Sequence, residues 1–291
     1  MSNQSSPELP MLDLVFASLP SLKDFHAPTT PVYGLLKEVV HKEIKDLFSG
    51  TDQSKHAFGP FGDFIFPYTE MGTINSLDLF GLDELLIFSF YWHNRNRYHR
   101  TLDLGANIGI HSLIMSRCGF DVTCFEPDPR HFELLQTNLA NNNATSVTPM
   151  NAAISIERGE MEFVRVLGNT TGSHLAGAKS NVYGDTDRFT VEVEPFVEHL
   201  EEVDLIKMDV EGHEAVILCT TTADQWASLD MICEVGTQEN AKLIFDHLRA
   251  IGVNLFAQKI NWQKIETIED MPTSYKEGSL FISAKDAMPW T

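Results

Sequence analysis

Cysteine is scarce: four thiols occur in 291 residues, and no two of them form a CxxC pair. Cys118, Cys124, Cys219 and Cys233 each sit in or beside an apolar run. That is the usage of small buried hydrophobes in a reducing compartment, not of a disulfide framework or a zinc site. Positive charge is also short, with 21 Lys and Arg against 41 Asp and Glu and a formal charge of −20. Phosphate backbones and anionic membrane surfaces repel such a chain, so neither nucleic acid nor a membrane is an expected partner. Nowhere do eighteen apolar residues run together. The opening MSNQSSPELPMLDLVF lacks a basic start and a small-residue cleavage site, and the expected location is cytoplasmic. Internal repeats and low-complexity tracts are missing too. Hydrophobic residues at 43% and aromatics at 10% can fill a sizeable core, which excludes a disordered chain.

Residues 1–30, rich in Ser, Pro and Thr, read as an irregular arm. Apolar residues three and four apart predict a helix from Leu35 to Phe48, ended by Ser49-Gly50, and a second from about Ser76 to Asn94. Between them FGPFGDFIFP (Phe58–Pro67) reads as a hairpin or docking loop, packing a cap onto the main body or forming a homodimer contact. After Arg100, short apolar runs alternate with amphipathic stretches, which means βαβ units, a parallel sheet and right-handed crossovers. Asp128-Pro129 marks a helix start and Gly252 a helix stop. EMEFVRVL (Glu160–Leu167) and FTVEVEPF (Phe189–Phe196) alternate with period two and predict antiparallel strands, with NLFAQKI and SLFISAK a further pair near the end. The expected fold is α/β: an open, doubly wound, mostly parallel sheet with a helical N-terminal cap. It divides into an arm and cap over residues 1–98, offering a substrate or dimer contact, and a ligand-binding domain over 99–291.

The run TLDLGANIG (Thr101–Gly109) carries the most chemistry: an apolar strand, a glycine-bearing turn, then a helix. In an open parallel sheet the ligand crevice lies outside the carboxyl ends of the strands, where this turn falls. Taken alone, such a turn serves packing or a dinucleotide as readily as any other ligand. Here the glycines are spaced GxxxG rather than GxGxxG, which argues against a nicotinamide site. Asp103 puts an acid at the strand end, awkward for a diphosphate but suited to a cationic ligand. Glu126 ends the next strand, 21 residues after Gly105, where a carboxylate can accept both hydroxyls of a ribose. Two such acids fit an adenosyl ligand that is positive near its reactive atom, as S-adenosylmethionine is.

LDLGANIGIHS, CFEPDP, NAAIS and DLIKMDVEGHE, in that order, resemble the FkbM family of S-adenosylmethionine-dependent methyltransferases over about residues 100–235. The resemblance implies a Rossmann-like class I methyltransferase fold and, most often, O-methylation of a sugar or natural-product hydroxyl. It also implies that Asp103, Gly105, Asn107 and Gly109, with Ala106 in the same turn, line the methionine side of the cofactor. Glu126, beside Pro127, would hold the ribose. Asn151 and Ala152 would sit near the adenine, and Asp209 would face the reactive region. The first hundred residues and the loop from Gly168 to Asp187 fall outside the resemblance and are expected to set substrate choice.

DLIKMDV places Asp209 at a strand end, and Glu211, His213 and Glu214 follow within two turns, good ground for a general base. His213 or Glu211 is the expected base, with Asp209 orienting cofactor or substrate. The same acids would also suit a plain helix N-terminus. His111 reads as a packed or capping histidine, and His174, in GNTTGSHLAG, as a lid residue or an ordinary loop residue. Asp209, Glu211, His213 and Glu234 could be drawn as a metal set, but no spacing demands one and no metal is expected. The basic stretch WHNRNRYHR (Trp92–Arg100) reads as a solvated helix end or an anion contact. The leading expectation is methyl transfer to a hydroxyl of a small molecule or saccharide. Its alternatives are N-methylation of a small metabolite and a non-catalytic adenosyl-ligand-binding module.

Overall fold

The N-terminal segment is helical because its apolar residues recur on one face. In the computed structural model, which describes residues 10–178 and 184–290, α1 (Met11–Ser18) and a 3₁₀ turn (Leu19–Phe25) bury Leu12, Val15, Phe16 and Leu19. Those positions have i, i+3, i+4, i+7 spacing, and the Ser- and Pro-rich composition around them hides it. The expected irregular arm is therefore corrected from Met11 onward, and its residues 1–9 lie outside the described residues. α2 (Pro31–Phe48) starts a turn before Leu35, since Thr30 caps it by accepting from the Tyr33 amide and Pro31 takes the first helical position. The aromatic segment is a hairpin, with β1 (His56–Ala57) antiparallel to β2 (Asp63–Phe64). Its Phe58, Phe61, Phe64 and Phe66 are all buried, and Phe58 packs edge-on against Phe16, Phe48 and Phe80. The expected Ser76–Asn94 helix is broken at Gly81 into a 3₁₀ turn (Asp78–Phe80) and α3 (Leu82–His93).

From there strand and helix alternate as expected: β3 (Arg100–Leu104), α4 (Ile110–Arg117), β4 (Asp121–Phe125), α5 (Pro129–Asn141) and β5 (Val147–Met150). A side sheet follows, built from β6 (Ala153–Ser155), β7 (Gly159–Val166), β8 (His174–Leu175) and β9 (Thr186–Pro195). The chain returns through β10 (Leu205–Met208), α6 (Glu214–Leu218), β11 (Asp230–Cys233), α7 (Gln238–Ala250), β12 (Asn254–Ala257), β13 (Gln263–Lys264) and β14 (Leu280–Ser283). The main sheet has the order β13-β12-β14-β11-β10-β3-β4-β5. Strands β11, β10, β3, β4 and β5 are parallel, and β14 inserts antiparallel between β11 and β12. Strand order reverses direction between β3 and β10, so their carboxyl ends open a crevice there. This is the open, doubly wound, mostly parallel sheet that the alternation predicts.

Cap and sheet are not separate cores. One continuous apolar cluster runs from Leu12 and Phe16 through Phe58, Phe80 and Phe90 to Ile108, Leu113 and Phe281. A second fills the other face of the sheet around Leu104, Met208, Trp226 and Ile244. No helix among the described residues is long and apolar enough to cross a membrane. Phe58 is fully buried where hairpin and helices meet. Phe58→Ala is therefore expected to lower unfolding free energy by about 3–5 kcal/mol, read by denaturant titration. A loss below about 1 kcal/mol would show that the cap packs loosely on the sheet.

Candidate active site

The turn after β3 is shaped by two residues in left-handed backbone, Gly105 (φ +79°) and Asn107 (φ +52°). A Cβ on Gly105 would lie 1.8 Å from the Asp209 carbonyl oxygen, so only glycine lets the ends of β3 and β10 approach this closely. The Gly105 and Ala106 amides donate to the Phe125 carbonyl, which ties the turn to the end of β4. Asn107 then donates its amide to Glu126 Oε2 at 2.8 Å, and Asp128 donates its amide to Oε1 at 2.8 Å. Glu126 is thus clamped between two turns, and burial pushes its carboxyl up to about 8 despite those two hydrogen bonds. Behind it, Asn151 Nδ2 donates to the Glu126 and Pro127 carbonyls. Arg165, from the side sheet, forks onto both oxygens of Asp128, the N-cap of α5, at 2.6 Å.

A cavity of about 660 Å³ opens at the carboxyl ends of β4, β3, β10 and β11. Gly105, Asn107, Glu126, Pro127, Ala152, Asp209 and Glu211 line it, all residues predicted from the sequence. The other predicted residues stand behind it. Asp103 is fully buried, with Oδ2 accepting from Ser112 Oγ at 2.6 Å and Oδ1 unpartnered. Ala106 is buried, and Gly109 (φ +92°) lets α4 pack on Leu135 of α5. Asn151 braces the Glu126 turn from outside. His213 is buried with Nε2 2.8 Å from Ser155 Oγ on β6, and it does not line the cavity. The basic Trp92–Arg100 stretch lies at the opposite, amino-terminal end of β3, with Arg95 stacked over Trp92.

Not every lining residue had a signal in the sequence. Glu84, in the first turn of α3, reaches the cavity with its Oε2 2.8 Å from His111 Nε2, and His111 Nδ1 lies 3.2 Å from the Tyr91 hydroxyl. Its pairing crosses between two helices that the chain does not place side by side until it folds. Glu234 also lines the cavity, and burial among acids pushes its carboxyl well up. Lys207, buried in β10, lies 3.5 Å from Asp209 Oδ2; burial opposes its charge, but Asp209, Asp103 and Glu84 more than offset that. His174 lines the opposite wall, its Nδ1 donating to the Gly172 carbonyl at 3.0 Å. That wall is pinned to the cap, where Thr73 donates its amide to the Gly168 carbonyl and Thr170 to that of Met71. The central part of the Gly168–Asp187 loop, residues 179–183, lies outside the described residues. Among the described residues no group of three or more His, Cys, Asp or Glu is placed to hold a metal ion.

The Glu126 carboxyl gives the site a pH signature. A ribose hydroxyl donating to the carboxylate stabilises the charged form and lowers its pKa below about 8. Adenosyl-ligand binding at neutral pH, if it engages Glu126 in this way, should therefore release protons, and affinity should rise with pH until about 8. Calorimetry in buffers of different ionisation heat measures that release. Proton uptake, or release that persists in Glu126→Gln, would show that Glu126 does not engage the ligand.

Residues 103–252, just over half the chain, match the family described as methyltransferase FkbM domain. The hexuronic acid methyltransferase AglP of Haloferax volcanii is 31% identical over 118 residues, 40% of this chain and 47% of that protein. Methyltransferase sdnD of Sordaria araneosa is 28% identical over 43% of this chain and 61% of its own length. The chain thus spans less than two thirds of either relative. Among solved structures, the precorrin-6y C5,15-methyltransferase of Geobacter metallireducens is 12% identical, with 68% of this chain and 86% of that chain covered and a TM-score of 0.36. With the family's domain matched across the strands and turns that build the cavity, the chain belongs to the FkbM methyltransferase family.

Proposed function

We propose that the chain is an S-adenosylmethionine-dependent methyltransferase acting on a hydroxyl oxygen of a small molecule or saccharide. The observation that carries this reading is Glu126, clamped at the end of β4 and facing a cavity whose far side holds Asp209, Glu211 and Glu234. The cavity fits such a cofactor: it offers an acid for ribose hydroxyls, the cavity-lining Asn107 with its Oδ1 unpartnered, and an acidic wall for a cation. Glu126 and Asn107 would hold the adenosyl part, and Ala152 would bound the base. S-adenosylmethionine supplies, when bound, a methyl group activated by a sulfonium centre. The relative named a hexuronic acid methyltransferase supports a saccharide acceptor.

The chain's own contribution is positioning and proton removal. Holding two reactants in line contributes roughly 7–11 kcal/mol in well-oriented reactions, and the cap and residues 169–175 wall the cavity in which they would be held. An acceptor hydroxyl must lose its proton as the new bond forms. Of the two expected bases, Glu211 lines the cavity whereas His213 is turned to Ser155, so Glu211 takes the proton and Asp209 orients the acceptor. His213 instead ties α6 to the side sheet.

The experiment is a screen of saccharides and cell metabolites with methyl-labelled cofactor. Label on an oxygen supports the reading. Label on nitrogen overturns the acceptor class, and tight S-adenosylhomocysteine binding with no labelled product overturns catalysis. On the acceptor found, Glu211→Gln should lower kcat by about 10²–10⁴-fold with unchanged S-adenosylhomocysteine affinity. His213→Ala should instead lower the unfolding midpoint and leave kcat within about threefold of wild type. The reverse pattern would return the base to His213.

A further inference from the structure

We propose that the acceptor is a saccharide bearing a carboxylate, its ring held against Tyr275 and its carboxylate held by Lys37 of the cap helix α2. This rests on the methyl-transfer reading of the cavity and names the acceptor class for it.

Tyr275, in the loop that leads into β14, lines the cavity and is 65% exposed. An exposed tyrosine is ordinary on an open surface, but on a cavity wall its face is a ready partner for the C–H side of a sugar ring. The loop that carries it is braced. Glu277 accepts from the Thr273 amide at 2.7 Å and the Thr273 hydroxyl at 3.0 Å, and it pairs with Lys259 at 3.0 Å. Lys276 Nζ lies over the ring, 5.7 Å from its centroid, and Lys276 does not line the cavity, which leaves one face of the ring for a ligand. A platform fixed before binding costs little to order.

Strand register places this loop away from the adenosyl end. β14 pairs antiparallel with β11, Leu280 opposite Cys233, so Ser279 stands beside Glu234 at the carboxyl end of β11. In the sheet order β14-β11-β10-β3-β4, the loop and Glu126 mark opposite ends of the row. A cofactor whose ribose lies at Glu126 leaves the β14 end open. At about 4.8 Å per strand, the ends of β10 and β14 are roughly 10 Å apart, room for one pyranose between Asp209 and Tyr275.

A run of hydrogen bonds puts Lys37 on the same wall. Gln258, buried just after β12, accepts from the Ser279 amide at 3.2 Å and donates to Asp83 Oδ1 on α3, while Asp83 Oδ2 accepts from the Tyr33 hydroxyl of α2 at 2.7 Å. Lys37 follows Tyr33 by one turn, lines the cavity, and is near enough to act on the Asp83 carboxyl. Both Asp83 oxygens are already taken, and Lys37 makes no hydrogen bond or ion pair among the described residues. It is also the only lysine or arginine among the described lining residues, against seven Asp and Glu. Such a setting accommodates one compensated negative charge better than two, which favours a carboxylate over a phosphate.

The test uses the full chain saturated with S-adenosylhomocysteine and a panel of methyl glycosides of hexuronic acids, each beside its neutral hexoside and that hexoside's 6-phosphate. Saturation-transfer NMR and calorimetry read the affinities. At least one hexuronide should bind about tenfold more tightly than its neutral partner, a preference that Lys37→Gln removes and Lys37→Arg keeps. Tyr275→Ala should weaken hexuronide and hexoside alike by about three- to tenfold and leave S-adenosylhomocysteine affinity unchanged. No hexuronide preference anywhere in the panel, tighter binding of the phosphates, or a preference that survives Lys37→Gln overturns the proposal. Label transferred to the oxygen of a neutral saccharide in preference to its hexuronide overturns it too, while the methyl-transfer reading stands. If the wild-type chain does not bind S-adenosylhomocysteine, it is the adenosyl reading beneath both that fails.

Discussion

A carboxyl group has been taken out of water at the end of β4, and the surrounding backbone is arranged around it. Desolvation of Glu126 alone would be expensive. The Asn107 and Asp128 amides offset part of that cost, the first from a turn in left-handed backbone and the second from the N-cap of α5. Asn107 must adopt left-handed backbone, which is tolerated by asparagine better than by most residues. Asp128 must cap α5, and the Arg165 fork from the side sheet keeps it there. The side sheet therefore bears on the central cleft without lining most of it. Its β7 arginine sets the turn that sets the acid.

Glycine at 105 is the matching constraint on the other strand. Because the Asp209 carbonyl oxygen occupies the space where a Cβ would be, the ends of β3 and β10 close to a distance that no other residue permits. Asp209 is thereby placed opposite Glu126 across one cavity, with the two acids on strands two positions apart in the sheet. The cap adds a third acid from above. Its helices share an apolar cluster with α4 and β14, so the position of Glu84 is set by the same packing that stabilises the fold. Burial holds Glu126 toward its neutral form, whereas at Glu84 burial is outweighed by His111 and Lys207, which keep that carboxyl below its ordinary value.

The strand ends were legible from the chain itself. DLGAN and FEPDP are local signals: a strand, a glycine or proline turn and a helix start within a few residues, and no distant contact is needed to interpret them. Glu126, Gly105 and Asp209 were legible for that reason, and Asn107 came with the family resemblance. His213 was misleading for the opposite reason. Its place two residues after Glu211 is compatible with either side of the turn, and after the left-handed Glu211 (φ +54°) it is buried against the Ser155 hydroxyl of β6, away from the cavity lining. The helical start of the chain was missed because composition was weighed over the spacing of Leu12, Val15, Phe16 and Leu19.

Sequence alone determined the alternation of strand and helix, the parallel sheet, the caps at Asp128 and Gly252, and the acids that end β4 and β10. These depend on periodicity and on backbone preferences that operate within a few residues. Tertiary structure alone decided that Glu84 meets His111 across two helices, that Arg165 reaches Asp128 from a different sheet, and that β14 inserts antiparallel beside β11. Such pairings join residues tens of positions apart, and their energy comes from burial and geometry that exist only once the core has closed.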